Sequence, residues 1–239
     1  MKYTFPAALL FLMVSFPTSN FVEKTTVPRA LTAHHDIEPT FAMKAEKLYN
    51  NLNHHDVSVP KIETFTQALS GFYDLKSRGL VSKNILTIID FSLSSTTKRL
   101  WIIDMSSNTV LLNSLVAHGI NSGLEYADSF SNKGNSNKSS LGFFATGEKY
   151  IGKNGLSLKL DGLEKGTNDH ARSRAVVVHG AYYANADILY TQNYLGRSQG
   201  CPAVPEKLNS KIIEIIKNKS CLFIYHPSRN LPQLSKLVS

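Results

Sequence analysis

The sequence predicts a mainly β domain whose strands run mostly antiparallel, with helices gathered towards the two ends of the chain. Three observations carry this reading. Ile85-Leu-Thr-Ile-Ile-Asp-Phe91 and Leu100-Trp-Ile-Ile-Asp-Met105 are apolar, β-branched runs joined by a Ser/Thr-rich turn, the pattern of a β-hairpin with both strands partly buried. Leu156, Leu158 and Leu160 alternate with Ser157, Lys159 and Asp161, the period of two that marks a half-buried strand. No regular alternation of strand-like and helix-like segments appears, which argues against a doubly wound sheet, and no period of 20–50 residues points to a solenoid.

Taken in order, the chain opens with Lys2, a short apolar stretch from Phe5 to Phe16, and Pro17-Thr-Ser-Asn20. One positive charge, an apolar stretch and small polar residues describe a secretory signal peptide over 1–20. No cysteine follows the apolar stretch to carry a lipid anchor. Residues 21–40, with Pro28, Pro39 and the His34-His35 pair, read as an exposed linker. Phe41, Ala45, Leu48, Tyr49 and Leu52 keep helical spacing, as do Phe65, Leu69, Phe72, Tyr73 and Leu75 between Pro60 and Gly79. Residues 41–80 are therefore expected to form a helical segment packed on the core that follows.

Beyond the Ile-Ile-Asp hairpin, Val110 to Val116 reads as a third strand, and 121–140 as a long Asn/Ser/Gly/Lys-rich loop of the kind that is functional or mobile. Gly142 to Ile151 and Leu156 to Leu160 read as strands, and Ala175-Val-Val-Val-His179 as a buried strand ending in histidine. Leu208, Ile212, Ile215 and Ile216 describe an amphipathic helix entered through Pro205, and Cys221 to Tyr225 a last buried strand.

Composition bounds the function. At 239 residues, 42% hydrophobic and 18% charged, the chain can build one sizeable core and is no disordered tail. The formal net charge of +8 favours acidic partners without choosing among nucleic acid, anionic lipid and a carboxylate-bearing polymer. Two cysteines, Cys201 and Cys221, are too few for a disulfide framework or a zinc ribbon. No apolar run reaches the length of a membrane span.

The chemistry concentrates between His179 and Pro205. A histidine ends a buried strand, and a cysteine lies 22 residues on, in a Gly-flanked turn. In one reading Cys201 is a nucleophile and His179 its base, the rigid strand end holding the imidazole in place. Gly200 lets the backbone approach a substrate closely, and the N–H groups of Gly200 and Cys201 would receive an oxyanion; Pro202 has no N–H to offer. The bland alternative is an inert cysteine after a turn. A second reading takes Gly196-Arg-Ser-Gln-Gly200 as a serine-hydrolase elbow with Ser198 as nucleophile, but Pro202 and Pro205 interrupt the helix that this elbow needs. A third gathers His118, His170, His179 or His226 with Asp169 or Asp187 around a metal, yet no His-Glu-x-x-His or comparable spacing supports it. Cys221, inside an apolar strand, reads as a packed thiol, with a Cys201–Cys221 disulfide as the alternative.

His179-Gly180 followed by Ser198-Gln-Gly-Cys201 resembles the catalytic signature of murein L,D-transpeptidases of the YkuD-like fold. Within them the chain is most similar to the murein L,D-transpeptidase catalytic domain family, which tends to carry Arg-Ser-x-Gly-Cys-Pro-Ala, here Arg197 to Ala203. The likeness extends through His118-Gly-Ile-Asn-Ser-Gly123, Phe130-Ser-Asn132, Ser140-Leu-Gly142, Tyr150 to Leu158, Asp161-Gly-Leu-Glu164 and Arg174 to Gly180, and so covers about Ile85 to Tyr225.

The resemblance implies an antiparallel β-sandwich or barrel over 81–230, with the N-terminal helices and one C-terminal helix packed on it. It implies Cys201 as nucleophile, His179 as base, the Gly180 carbonyl as the group orienting the imidazole, and Gly200 with Cys201 as oxyanion donors. Arg197, Ser198, Tyr182, His118 and Arg174 are expected to bind substrate. The implied substrates are peptidoglycan stem tetrapeptides. They would be acylated onto the sulfur at the third-position diamino acid, with loss of the terminal D-alanine, and passed to an amine in a 3→3 cross-link. Water in place of the amine would make a carboxypeptidase, and a fold without turnover a wall-binding protein. An exported monomer of the periplasm or cell envelope is expected, with no cofactor, no metal, no nucleic-acid partner and no integral membrane segment after signal removal. Two positions depart from the better-known branch: Gln199 stands where it has His, and Pro202, Ala203 and Val204 stand where it often has Arg and Asn.

Overall fold

The computed structural model describes Met1 and residues 40–229. The predicted signal peptide and nearly all of the predicted linker lie outside the described residues. Thr40 caps the first helix, its hydroxyl accepting the Met43 N–H at 3.4 Å. That helix, α1, spans Phe41–Asn50, and α2 spans Ile62–Ser77. The predicted helical spacing is what buries Phe65, Ala68, Leu69, Phe72 and Leu75 along one face of α2. No helix among the described residues is long and apolar enough to cross a membrane.

One eight-stranded sheet follows: β1 Ile85–Asp90, β2 Leu100–Asp104, β3 Thr109–Ser114, β4 Gly142–Gly152, β5 Gly155–Gly162, β6 Val177–Gly180, β7 Ala203–Val204 and β8 Cys221–Tyr225. The helix α3, Glu206–Ile216, is entered from Pro205 as predicted. The strand order is β3-β2-β1-β8-β4-β5-β6-β7. Neighbours β1–β2, β2–β3, β4–β5, β4–β8 and β5–β6 are antiparallel, while β1–β8 and β6–β7 are parallel. The mainly antiparallel expectation therefore holds, with two parallel joints that local patterning did not reveal.

The central strands read as continuous apolar runs because both of their faces are covered. Leu86, Ile88, Trp101, Ile103, Phe143, Ala145, Cys221 and Phe223 point to the side on which α1 and α2 pack, sharing one apolar cluster with Phe65 and Phe72. Ile89, Leu100, Ile102, Phe144, Leu222 and Ile224 point to the other side, where Ile212, Ile213 and Ile216 of α3 complete a second cluster.

The two edges of the sheet are drawn together by the segment leaving β3. Ala117 exchanges both backbone hydrogen bonds with Ala203 of β7, at 2.8 and 3.3 Å, in an antiparallel bridge. Gly119 bridges Ser198: the Ser198 N–H donates to the His118 carbonyl at 2.9 Å and the Ile120 N–H to the Ser198 carbonyl at 2.7 Å. The loop from 198 to 203 is thereby held at both ends by a single stretch of chain.

Candidate active site

That loop carries Cys201. The parallel register of β6 and β7 pairs His179 with Ala203, so Cys201 stands level with Val177, two residues short of His179 along β6. Residues two apart on a strand share a face and lie about 6.6 Å apart along it. Both side chains line one cavity of about 660 Å3, walled also by Asn135 and Asn137 of the 121–140 loop, Lys153 and Asn154 of the β4–β5 turn, and Arg174, Tyr183 and Arg197.

His179 is buried, and its Nδ1 lies 2.9 Å from the Gly180 carbonyl. A carbonyl only accepts, so Nδ1 carries the proton and Nε2 keeps its lone pair. Burial pushes the imidazole below its ordinary value; the Gly180 carbonyl opposes that shift and the Lys153 ammonium adds to it. The Cys201 thiol is partly exposed. It donates to the Ala175 carbonyl at 3.7 Å and accepts the Val177 N–H at 3.5 Å. Burial pushes this thiol up, against the pull of the Val177 N–H, Arg174 and Lys153. No hydrogen bond joins the two side chains in this resting arrangement. Both shifts favour the uncharged forms, and a thiol sharing a cavity wall with an imidazole suits a base that takes the proton as attack begins.

Ser198 is buried, and its hydroxyl is spent on the loop: Oγ donates to the Cys201 carbonyl at 2.6 Å and accepts the Gly200 N–H at 3.0 Å. Ser198 lines the cavity while its hydroxyl braces the nucleophile loop, and the Gly200 N–H, expected to receive an oxyanion, is engaged by that hydroxyl in this arrangement. The Cys201 N–H has no hydrogen-bond partner among the described residues. Gly200 is required for its shape: its φ is +115°, and a Cβ there would stand 2.8 Å from the Lys138 carbonyl oxygen.

Of the other predicted substrate contacts, Arg174 and Arg197 line the cavity, while Tyr182 and His118 do not. Arg174 is committed to the loop opposite, donating to the Ser131 carbonyl at 2.7 Å, the Lys138 carbonyl at 2.8 Å, the Ser136 hydroxyl at 3.2 Å and the Ser140 hydroxyl. Arg197 reaches the Gly123 carbonyl at 3.4 Å and lies over the Tyr194 ring. Tyr182 faces solvent; one residue on, Tyr183 lines the cavity, its phenol pushed up to about 12 by burial, with Cys201 and Tyr182 adding to the shift. His118 is buried, its Nδ1 accepting from Arg99 Nη2 at 2.8 Å and its Nε2 donating to the Gly123 carbonyl at 3.4 Å. It lies within the segment that pairs with the nucleophile loop, away from the cavity wall. Tyr183 and Lys153 are among the cavity residues that sequence reasoning missed.

Both cysteines are free, and Cys221 is fully buried on β8, its thiol pushed up by that burial. Among the described residues no three His, Cys, Asp or Glu side chains are placed to hold a metal ion.

A family model described as the L,D-transpeptidase catalytic domain matches residues 57–225. No curated protein matches. Among solved structures, an L,D-transpeptidase from Mycobacterium smegmatis is 12% identical, with a TM-score of 0.38, over 60% of this chain and 59% of that one. An L,D-transpeptidase from Enterococcus faecium is 12% identical, with a TM-score of 0.37, over 60% of this chain and 50% of that one. One from Xylanimonas cellulosilytica is 13% identical, with a TM-score of 0.33, over 79% of this chain and 94% of that one. The chain thus spans about half to six-tenths of the length of the first two.

Proposed function

The chain belongs to the L,D-transpeptidase catalytic domain family, and on that basis we propose that it is an exported enzyme that acylates Cys201 with peptidoglycan stem tetrapeptides. The observation that carries the reading is the placement of Cys201 and His179 on one cavity wall, the imidazole held by the Gly180 carbonyl with Nε2 free.

In the proposed reaction the thiol turns from the Ala175 carbonyl and gives its proton to His179 Nε2 as the sulfur attacks the carbonyl of the third-position diamino acid. The Cys201 N–H, without a partner among the described residues, faces the oxyanion of the tetrahedral intermediate. Collapse breaks the amide bond, the departing D-alanine amine takes the proton back from His179, and a thioester remains on Cys201. An acceptor amine then attacks the thioester, His179 removing its proton and returning it to the sulfur, which leaves a 3→3 cross-link and the free thiol. Water in the same step releases a tripeptide instead. The charge of the chain fits a polymer rich in free carboxylates, and the Lys2 to Asn20 pattern supports export to the cell envelope.

The test is to incubate the purified protein with tetrapeptide muropeptides and follow D-alanine and product masses. The reading expects D-alanine release with cross-linked or trimmed products, lost in Cys201→Ala. Unchanged muropeptides would leave a wall-binding protein on this fold.

A further inference from the structure

The cations on and beside the β4–β5 hairpin are neutralised by neighbouring acids: Lys149 by Glu214, Lys159 by Glu148, and Arg172 by Asp161 and Glu148. Lys153, in the turn of the same hairpin, is exposed and has neither an ion pair nor a hydrogen bond among the described residues. It lines the cavity that holds Cys201 and His179. No Asp or Glu lines that cavity, although Lys153, Arg174 and Arg197 all do. Three positive charges around one hollow repel each other, and nothing on the wall offsets them. Two are already occupied, Arg174 by the 131–140 loop and Arg197 by the Gly123 carbonyl. Lys153 is left with its hydrogen-bond donors unspent, on a flexible stem at a turn tip, where it can reach a ligand without disturbing the sheet.

We propose that Lys153 selects the acyl donor, binding the free carboxylate at the end of the donor's diamino-acid side chain. The proposal rests on the peptidoglycan reading above and deepens it. The stem's third-position diamino acid would be taken when its side-chain carboxyl is free and discriminated against when it is amidated. An amide offers no charge to the ammonium and leaves the cluster of cations uncompensated. A bound carboxylate would also strengthen the base: burial first, and the Lys153 charge after it, hold the His179 imidazole down, and the carboxylate cancels the second of these.

The experiment compares the full-length chain with Lys153→Met and Lys153→Arg on two tetrapeptide donors, identical except that the diamino acid is free or amidated. The readout is the ratio of kcat/KM for D-alanine release. Wild type is expected to favour the free acid by about tenfold, Lys153→Arg to keep most of that preference, and Lys153→Met to bring the ratio near one. A second arm does not depend on the peptide substrate. Cys201 is alkylated with iodoacetate, an anion, and with iodoacetamide, its neutral counterpart and the control for thiol reactivity. Lys153→Met is expected to lower the iodoacetate-to-iodoacetamide rate ratio about threefold at low salt, with the gap closing at high salt. If wild type releases D-alanine from neither donor, the peptidoglycan reading fails and the alkylation ratio alone decides the role of Lys153. A donor preference that survives in Lys153→Met overturns the proposal, as does, where neither donor reacts, an alkylation ratio equal to that of wild type.

Discussion

Ser198 Oγ donates to the carbonyl of Cys201 at 2.6 Å and in the same geometry accepts the Gly200 N–H at 3.0 Å. One buried hydroxyl thus braces the turn across the residue whose φ of +115° sets its shape. The brace stands on a second layer, because the Ser198 backbone is itself paired to His118 and Ile120.

Ser198→Ala removes both hydrogen bonds and leaves the Gly200 N–H unpaired. The expected cost is about 1–3 kcal/mol of stability, measured by denaturant unfolding. D-alanine release is expected to fall roughly tenfold without vanishing, since about 1.4 kcal/mol of lost loop definition is a factor of ten in rate. Cys201→Ala is expected to keep the stability and lose all release. Complete loss in Ser198→Ala with release retained in Cys201→Ala would revive the serine as nucleophile.

The pH dependence follows from two shifts. The base is active when neutral, and burial holds His179 below its ordinary value of 6.5, with Lys153 acting the same way and the Gly180 carbonyl against it. The acid limb of kcat/KM is therefore expected below pH 6.5, because protonation of the imidazole is postponed to lower pH. Burial holds the Cys201 thiol above 9.0. Alkylation by iodoacetamide is then expected to climb steeply as pH rises towards and past 9. A rate already level between about pH 5 and 8 would instead reveal a preformed thiolate–imidazolium pair.

His118 gives folding stability a pH dependence of its own. Burial first, then the Arg99 charge, lowers its pKa to about 4, from an ordinary 6.5. Between these values the unfolded chain binds a proton that the folded chain does not, so folding stability falls as pH drops through that window. The shift corresponds to a ceiling of roughly 3–4 kcal/mol. His118→Asn can offer an amide oxygen to Arg99 and does not titrate. The loss of stability between pH 7 and pH 4.5 is expected to be smaller in this variant. An identical loss in both proteins would show that His118 is not the group responsible.

What the sequence made legible was local. The alternation of Leu156, Leu158 and Leu160 placed β5, and helical spacing placed α2, because burial of one face leaves its period in the sequence. The parallel joint of β8 to β1 left no such trace, since Leu86 and Cys221 meet only through the folded chain between them. The same holds for the site. His179 and Cys201 were readable from their own surroundings, whereas Lys153 reaches them through the β5–β6 register that pairs Ser157 with His179. The choice between Tyr182 and Tyr183 is a matter of rotation within one short helical turn, and adjacent identical residues carry no signal for it. His118 looked like a cleft residue because a histidine beside a glycine reads the same exposed or buried; only Arg99, buried and aimed at its Nδ1, reveals its place.

Acylation of the Cys201 sulfur is read from the mass of the enzyme during turnover. Wild type is mixed with a tetrapeptide donor in the absence of an acceptor amine, quenched in acid and mapped by peptide. The account predicts that the peptide bearing Cys201 gains the mass of the donor less D-alanine, in an adduct that hydroxylamine removes. Continued D-alanine release with the adduct on Ser198, or with no adduct while Cys201→Ala still turns over, would contradict it.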